Sequence, residues 1–156
     1  MKVLVNAPFH ITGVDVLLQL NEFFHDECFD SEALHFDEEA GLVTLPVRRL
    51  FHSGPMRLIK RGWFSKTYEK DWMHSLVKIR NVRSWEVLGD QGINTYTFDT
   101  WSYRDALIEV VCSQRLILRF QVEGLDIEVS DTGFRGKGHI KTLLFLIERS
   151  STAVYE

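Results

Sequence analysis

Apolar and polar residues alternate most regularly between Ala106 and Asp131. Leu116, Leu118, Phe120 and Val122 share one side of this pattern, and Leu125, Ile127 and Val129 share one side of the next run, with Asp126, Glu128 and Ser130 opposite them. A period of two marks a strand with one buried face. Together with Ile108, Val110 and Cys112, these runs predict a three-stranded antiparallel meander. A tight loop at Glu123-Gly124 sets Val122 against Leu125, Phe120 against Ile127 and Leu118 against Val129, and places Arg119 across from Glu128. For the earlier connection, a loop of Ser113 and Gln114 alone would put Leu118 beside Glu109. The longer loop Ser113 to Arg115 keeps apolar against apolar (Cys112 with Leu116, Val110 with Leu118, Ile108 with Phe120) and is the expected one.

Elsewhere the pattern changes period. Val14, Leu17, Leu18 and Phe24, widened by Val16, Leu20 and Phe23, fit a helix from Val14 to His25 with Thr12 as its cap. Glu32 to Phe36 and Leu42 to Leu50 alternate as strands around the acidic turn Asp37-Glu38-Glu39, and Pro46 predicts that the second is an edge strand or ends there. Further strands are expected near Met73 to Arg80, Val82 to Val87 (with a bulge or bend at Asn81 to Ser84) and Thr95 to Phe98, with a short one at Val3 to Val5. Gly133, Gly136 and Gly138 read as a flexible link. The apolar residues of Ile140 to Arg149 suit a closing helix, with a strand as the alternative, and 150–156 is expected to fray. The fold class expected is α+β: one domain over 1–156, about seven strands in a strongly twisted antiparallel sheet or partly closed β-barrel, an N-terminal helix and a C-terminal helix.

Composition narrows the class. The 156 residues are 45% hydrophobic, enough for a core and against global disorder. No run reaches the roughly 18 apolar residues of a membrane-spanning helix. The first ten residues carry one Lys and too short an apolar run for a secretory signal, so a cytoplasmic location is expected. Cys28 and Cys112 form no CxxC spacing, which predicts reduced, partly buried thiols.

Charge changes the picture more. The net charge is -4, but residues 1–50 hold three basic and nine acidic side chains, whereas residues 51–80 hold seven basic and two acidic. Overall acidity argues against nucleic acid as the main partner. The basic island, at residues 52–72, reads as a loop between strands; it combines Arg57, Lys60, Arg61, Lys66 and Lys70 with Trp63, Phe64, Tyr68 and Trp72. Bases beside large aromatics suit an acidic protein face, an anionic lipid surface or single-stranded nucleic acid, provided the rings face solvent. Folded back onto the core, the same rings carry structure only.

Three other clusters hold reactive side-chain types. His25, Asp26, His35 and Glu38 are metal-ligand types without HExxH spacing, and a metal-binding or hydrolytic domain built on them is the alternative function. Cys112 would need one of six histidines to become a nucleophile, and its inward position suits a core thiol. The Gly133–Gly138 run with Arg135 and Lys137 resembles an anion cradle only loosely, being neither GxGxxG nor part of a βαβ unit. No cofactor motif is present. The function expected is therefore a non-catalytic protein-binding or assembly module, with a protein partner or self-association, or else an anionic lipid surface, contacted through the basic aromatic stretch.

Overall fold

The computed structural model describes residues 8–50, 56–143 and 147–152, the side chains of 49, 50, 133–135, 143 and 147–152 excepted. The expected strand at Val3–Val5, the breaker cluster Ser53-Gly54-Pro55 and the tail 153–156 lie outside the described residues. The described chain forms one helix, α1 (Val14–Phe24), and twelve strands: β1 (Phe9–Ile11), β2 (Cys28–Asp30), β3 (His35–Asp37), β4 (Leu42–Leu50), β5 (Arg57–Arg61), β6 (Ser65–Ile79), β7 (Val82–Leu88), β8 (Thr95–Arg104), β9 (Leu107–Cys112), β10 (Ile117–Val122), β11 (Ile127–Leu143) and β12 (Ile147–Thr152). The strands belong to one open, mostly antiparallel sheet of order β1-β11-β6-β4-β2-β8-β9-β10-β7, with β3 added on β4, β5 on β6 and β12 on β11. This corrects the α+β expectation of about seven strands and a closing helix.

The C-terminal helix fails for a plain reason. An apolar run of some ten residues fits either period, and length cannot arbitrate. Here β11 continues through the glycines to Leu143 and pairs antiparallel with β12, from Lys137 opposite Thr152 to Thr142 opposite Ile147.

The chain divides into two compact units: Met1–Arg48 with Ser75–Asp131, and Arg49–His74 with Thr132–Glu156. The first holds the main core. Its β9–β10 hairpin has the expected register, with Val110 opposite Leu118 and Ile108 opposite Phe120. The connection is Ser113–Arg115, closed by Cys112 N–H donating to Leu116 O at 2.8 Å. No glycine is present in it, so Gln114 and Arg115 take φ of 56° and 65° themselves.

The third strand of the expected meander is misplaced. β10 pairs with β7 on its other edge, and β11 pairs with β1. Ile127 and Val129 are fully buried all the same. Alternation had identified the inward face; it carries no information about which strand lies alongside. Arg119 accordingly bonds Glu109 at 2.9 Å, while Glu128 bonds Arg80 at 2.7 Å.

Only two residues, Arg80 and Asn81, join β6 to β7, six places apart in the sheet order. A flat sheet would separate those strands by about 29 Å, and three Cα steps span at most about 11 Å. The first unit's sheet is therefore rolled, and Asn81 takes φ 59° at the corner. Pro46 marks neither an edge nor an end, since β4 lies between β6 and β2 and continues to Leu50. β3 pairs with β4 at Leu42 to Thr44 and β2 pairs with it at Val47 and Arg48, so Pro46 falls in the gap where no ladder bond on that side is missed.

Helix α1 starts at Gly13 without a side-chain cap, so the expected Thr12 cap is not used. It buries Leu17, Leu20, Phe23 and Phe24 and leaves Val14 and Leu18 exposed. Phe23 and Phe24 enter an aromatic cluster with Phe9, Phe98 and Trp101, and Phe29 stacks on Phe98 at 4.6 Å.

The β8–β9 hairpin turns at Asp105 and Ala106, with φ of 51° and 62° and Arg104 opposite Leu107. Positive φ at both central residues is the type I′ arrangement, which favours glycine at the second. An L-residue there costs about 1 kcal/mol. Ala106→Gly is expected to stabilise the protein by about 0.5–1 kcal/mol, read as a higher urea midpoint at unchanged slope. A lower midpoint would reject the turn assignment.

Candidate functional site

The second unit has a different character. Its sheet runs β12-β11-β6-β5, using the N-terminal half of β6 and the C-terminal half of β11. Thr142 Oγ1 donates to Lys66 O, His139 and Lys137 lie near Glu69, and Thr132 Oγ1 donates to His74 O. As residue numbers rise on β6 they fall on β11, which is antiparallel pairing. Trp72 and Met73, neighbours on opposite faces, are 4% and 6% exposed. The glycine run is no link: a Cβ on Gly136 would lie 2.3 Å from the Trp72 indole, so the strand passes under that ring only because the side chain is absent.

Residues 57–72 are accordingly an antiparallel hairpin, β5 on β6, with Leu58 opposite Tyr68 and Arg61 opposite Lys66. Ile59 sits at a bulge between Leu58 and Lys60. The loop closes through Gly62 N–H donating to Ser65 O at 2.8 Å. Trp63 and Phe64 form its tip, 96% and 69% exposed. Met56, Leu58 and Ile59 are also exposed, so half of the ten exposed large hydrophobics among the described residues lie between Met56 and Phe64. An open cleft of about 420 Å³ sits at the tip, lined by Arg61, Gly62, Trp63, Phe64, Ser65, Lys66, Tyr68 and Thr142.

The nine residues singled out in the sequence thus divide. Trp72 is core. Arg57 is tied down, bonding Glu69 at 3.0 Å and Asp71 at 2.8 Å. Those bonds, Asp71's first, hold its guanidinium above its ordinary pKa, and the bond from Arg57 holds the Glu69 carboxyl below the usual range. Lys60, Arg61, Trp63, Phe64 and Lys66 are exposed around the tip, with Tyr68 and Lys70 half-buried behind them. Among the described residues, Lys60, Arg61 and Lys66 form no ion pair. Arg61 and Lys66 face each other directly, and like charges in that position are mutually destabilising by a few tenths of a kcal/mol or more.

The alternation of β5 is broken by its bulge, which hid Leu58 and Ile59 from a sequence reading. Tyr68 and Thr142 meet in the cleft from segments 74 positions apart.

Charge follows the same division. The second unit carries ten basic and four acidic side chains, a balance of +6, against eight and eighteen, a balance of -10, in the first.

The other candidate clusters do not converge. His25 and Asp26 lie 3.5 Å apart at the end of α1, both exposed, while His35 and Glu38 are exposed on β3 and its turn. Among the described residues no group of three or more His, Cys, Asp or Glu is placed to hold a metal ion. Cys112 is buried, and burial, with a smaller contribution from the Asp99 charge, pushes its thiol up to about 12. Almost none of it is thiolate near neutral pH, so it is no nucleophile. No helix among the described residues is long and apolar enough to cross a membrane. With this geometry in place, comparison with known proteins adds no relative to it: no protein-family model, curated protein or solved structure matches the chain.

Proposed function

We propose that this chain is a non-catalytic binding module that docks onto a macromolecular partner through the β5–β6 hairpin. The observation that carries the reading is the concentration of exposed apolar side chains at 56–64 beside Lys60, Arg61 and Lys66, three cations without ion pairs among the described residues. A chain gains nothing in isolation from a fully exposed Trp at a loop tip. Burying such a ring is worth about 1.5–3 kcal/mol, and only a partner can supply the burial.

The test is photo-crosslinking in cells with a benzophenone side chain in place of Trp63 and, as a control, in place of Ile93, which is 40% exposed outside the hairpin. Adducts are expected from position 63 and not from 93, and Arg61→Glu with Lys66→Glu should remove them. Equal yields at both positions, or none at either, would discard the hairpin as the contact surface.

A further inference from the structure

We propose that the occupant of the hairpin tip is an anionic phospholipid surface, with Trp63 and Phe64 entering the interfacial layer and Arg61 and Lys66 holding lipid phosphates. This rests on the docking reading above and names its partner.

The first argument is shape. Trp63, at 96% exposed, protrudes and touches almost nothing of its own chain. A rigid protein interface needs a patch of roughly 800 Å² on each side, whereas two rings on a four-residue loop offer a point. A fluid interface closes around a point, and aromatic rings favour headgroup depth.

Charge provides the second. Arg61 and Lys66 face each other across the neck of the tip, at one wall of the cleft that also takes Tyr68 and the Thr142 hydroxyl. That repulsion is relieved when a phosphate lies between the two cations. The +6 balance of this unit, in a chain of net charge -4, confines the attraction to it.

Self-pairing is disfavoured by the same residues. Among the described residues β5 pairs only with β6, so no described strand covers its outer edge. An antiparallel copy centred on Ile59 would set Arg57 opposite Arg61, and a copy shifted by one residue toward Arg57 would set Arg57 opposite Lys60. Cations meet cations in both.

The experiment uses the full chain with vesicles of phosphatidylcholine alone and of phosphatidylcholine with phosphatidylserine, read by co-sedimentation. Binding is expected only to the mixed vesicles, and it should weaken steeply as salt is raised. Trp63→Ala should weaken it about tenfold or more, and Arg61→Ala and Lys66→Ala about fivefold each. These side chains are exposed, so the fold survives their loss. Trp85→Ala, on β7 in the other unit, should change nothing. Equal binding to both vesicle types, binding to neither, or an unaffected Trp63→Ala variant would overturn the proposal. So would displacement by inorganic phosphate at constant ionic strength, which would reduce the site to a free-anion cleft. Adducts from position 63 that are proteins, with no vesicle binding, would keep the docking module and remove the lipid.

Discussion

Gly136→Ala is expected to destabilise the protein by about 1–3 kcal/mol, and Trp72→Ala by about 3–5 kcal/mol. Glycine to alanine in a strand usually helps, because glycine loses more freedom on folding and has no side chain to pack. The sign reverses here because the new methyl would sit 2.3 Å from Cε2 and Cζ2 of Trp72 and 2.8 Å from Nε1. The indole has little room to give way, being 4% exposed and flanked by the His74 ring at 5.1 Å. Residues in direct contact should also couple. In the double variant Gly136→Ala/Trp72→Ala the total cost should therefore be less than the sum of the two separate costs. Urea unfolding of the full chain measures all three, and hydrogen exchange locates the damage. Protection should fall over residues 65–74 and 136–142 before it falls in β9 and β10. A neutral Gly136→Ala, or strict additivity in the double variant, would show that the ring does not rest on this glycine. The same variants bear on function, since Trp72 and Gly136 fix the two strands that carry Lys66 and Thr142, the β6 and β11 side of the cleft. Loss of vesicle binding is expected to accompany loss of protection.

That contact also shows what a sequence can and cannot say about this chain. Three glycines in six residues with two bases among them look like a link, because nothing local reveals that one of them lies beneath a Trp 64 positions earlier. Trp63 and Trp72 are alike in composition and neighbourhood, yet one is the most exposed large side chain described and the other is core. The difference lies in which of them has a strand with a gap beside it. Inward faces were legible in the strands of the main core, since a period of two reports which side of a strand meets oil, but not in β7, where Trp85 and Val87 are exposed. Ile127 and Val129 were placed correctly while their neighbour was not. Partner choice depends on segments far apart, such as β1 against β11, and hairpin logic favours sequence neighbours. The basic island was legible as charge. Its conversion into a hairpin with a cleft depended on Tyr68 and Thr142 meeting, and no pattern within either segment encodes that.

The second large effect is expected at Asn21. Its side chain does the work of a missing strand. On the outer edge of β8, β2 pairs only with Thr95 to Thr97. At Phe98 the backbone turns to Asp26 and Glu27 instead, with Phe98 N–H donating to Glu27 O at 3.0 Å and Asp26 N–H donating to Phe98 O at 3.1 Å. A register shift follows between Phe98 and Thr100, and at Trp101 no described strand lies on that side. Asn21, on α1, supplies both halves of a ladder pair: its Oδ1 accepts from Trp101 N–H and its Nδ2 donates to Trp101 O at 3.2 Å. Trp101 is 2% exposed, so loss of these partners leaves two poorly solvated backbone groups. Leaving such a group unsatisfied costs about 1–3 kcal/mol, and Asn21→Ala is accordingly expected to lose about 2–4 kcal/mol. Helix propensity pulls the other way, since alanine is favoured over asparagine in a helix by roughly half a kcal/mol. The sign of the change therefore decides between a surface helix residue and a clamp. Asn21→Asp separates the two bonds: the acceptor for Trp101 N–H survives, but a carboxylate oxygen then faces Trp101 O, and a loss approaching that of alanine is expected. Urea midpoints give the magnitudes, and exchange at the Trp101 amide gives the location, fast in Asn21→Ala and still protected in Asn21→Asp. A stabilised Asn21→Ala would mean that water satisfies Trp101 as well as Asn21 does, and that α1 is held to β8 by its phenylalanines alone.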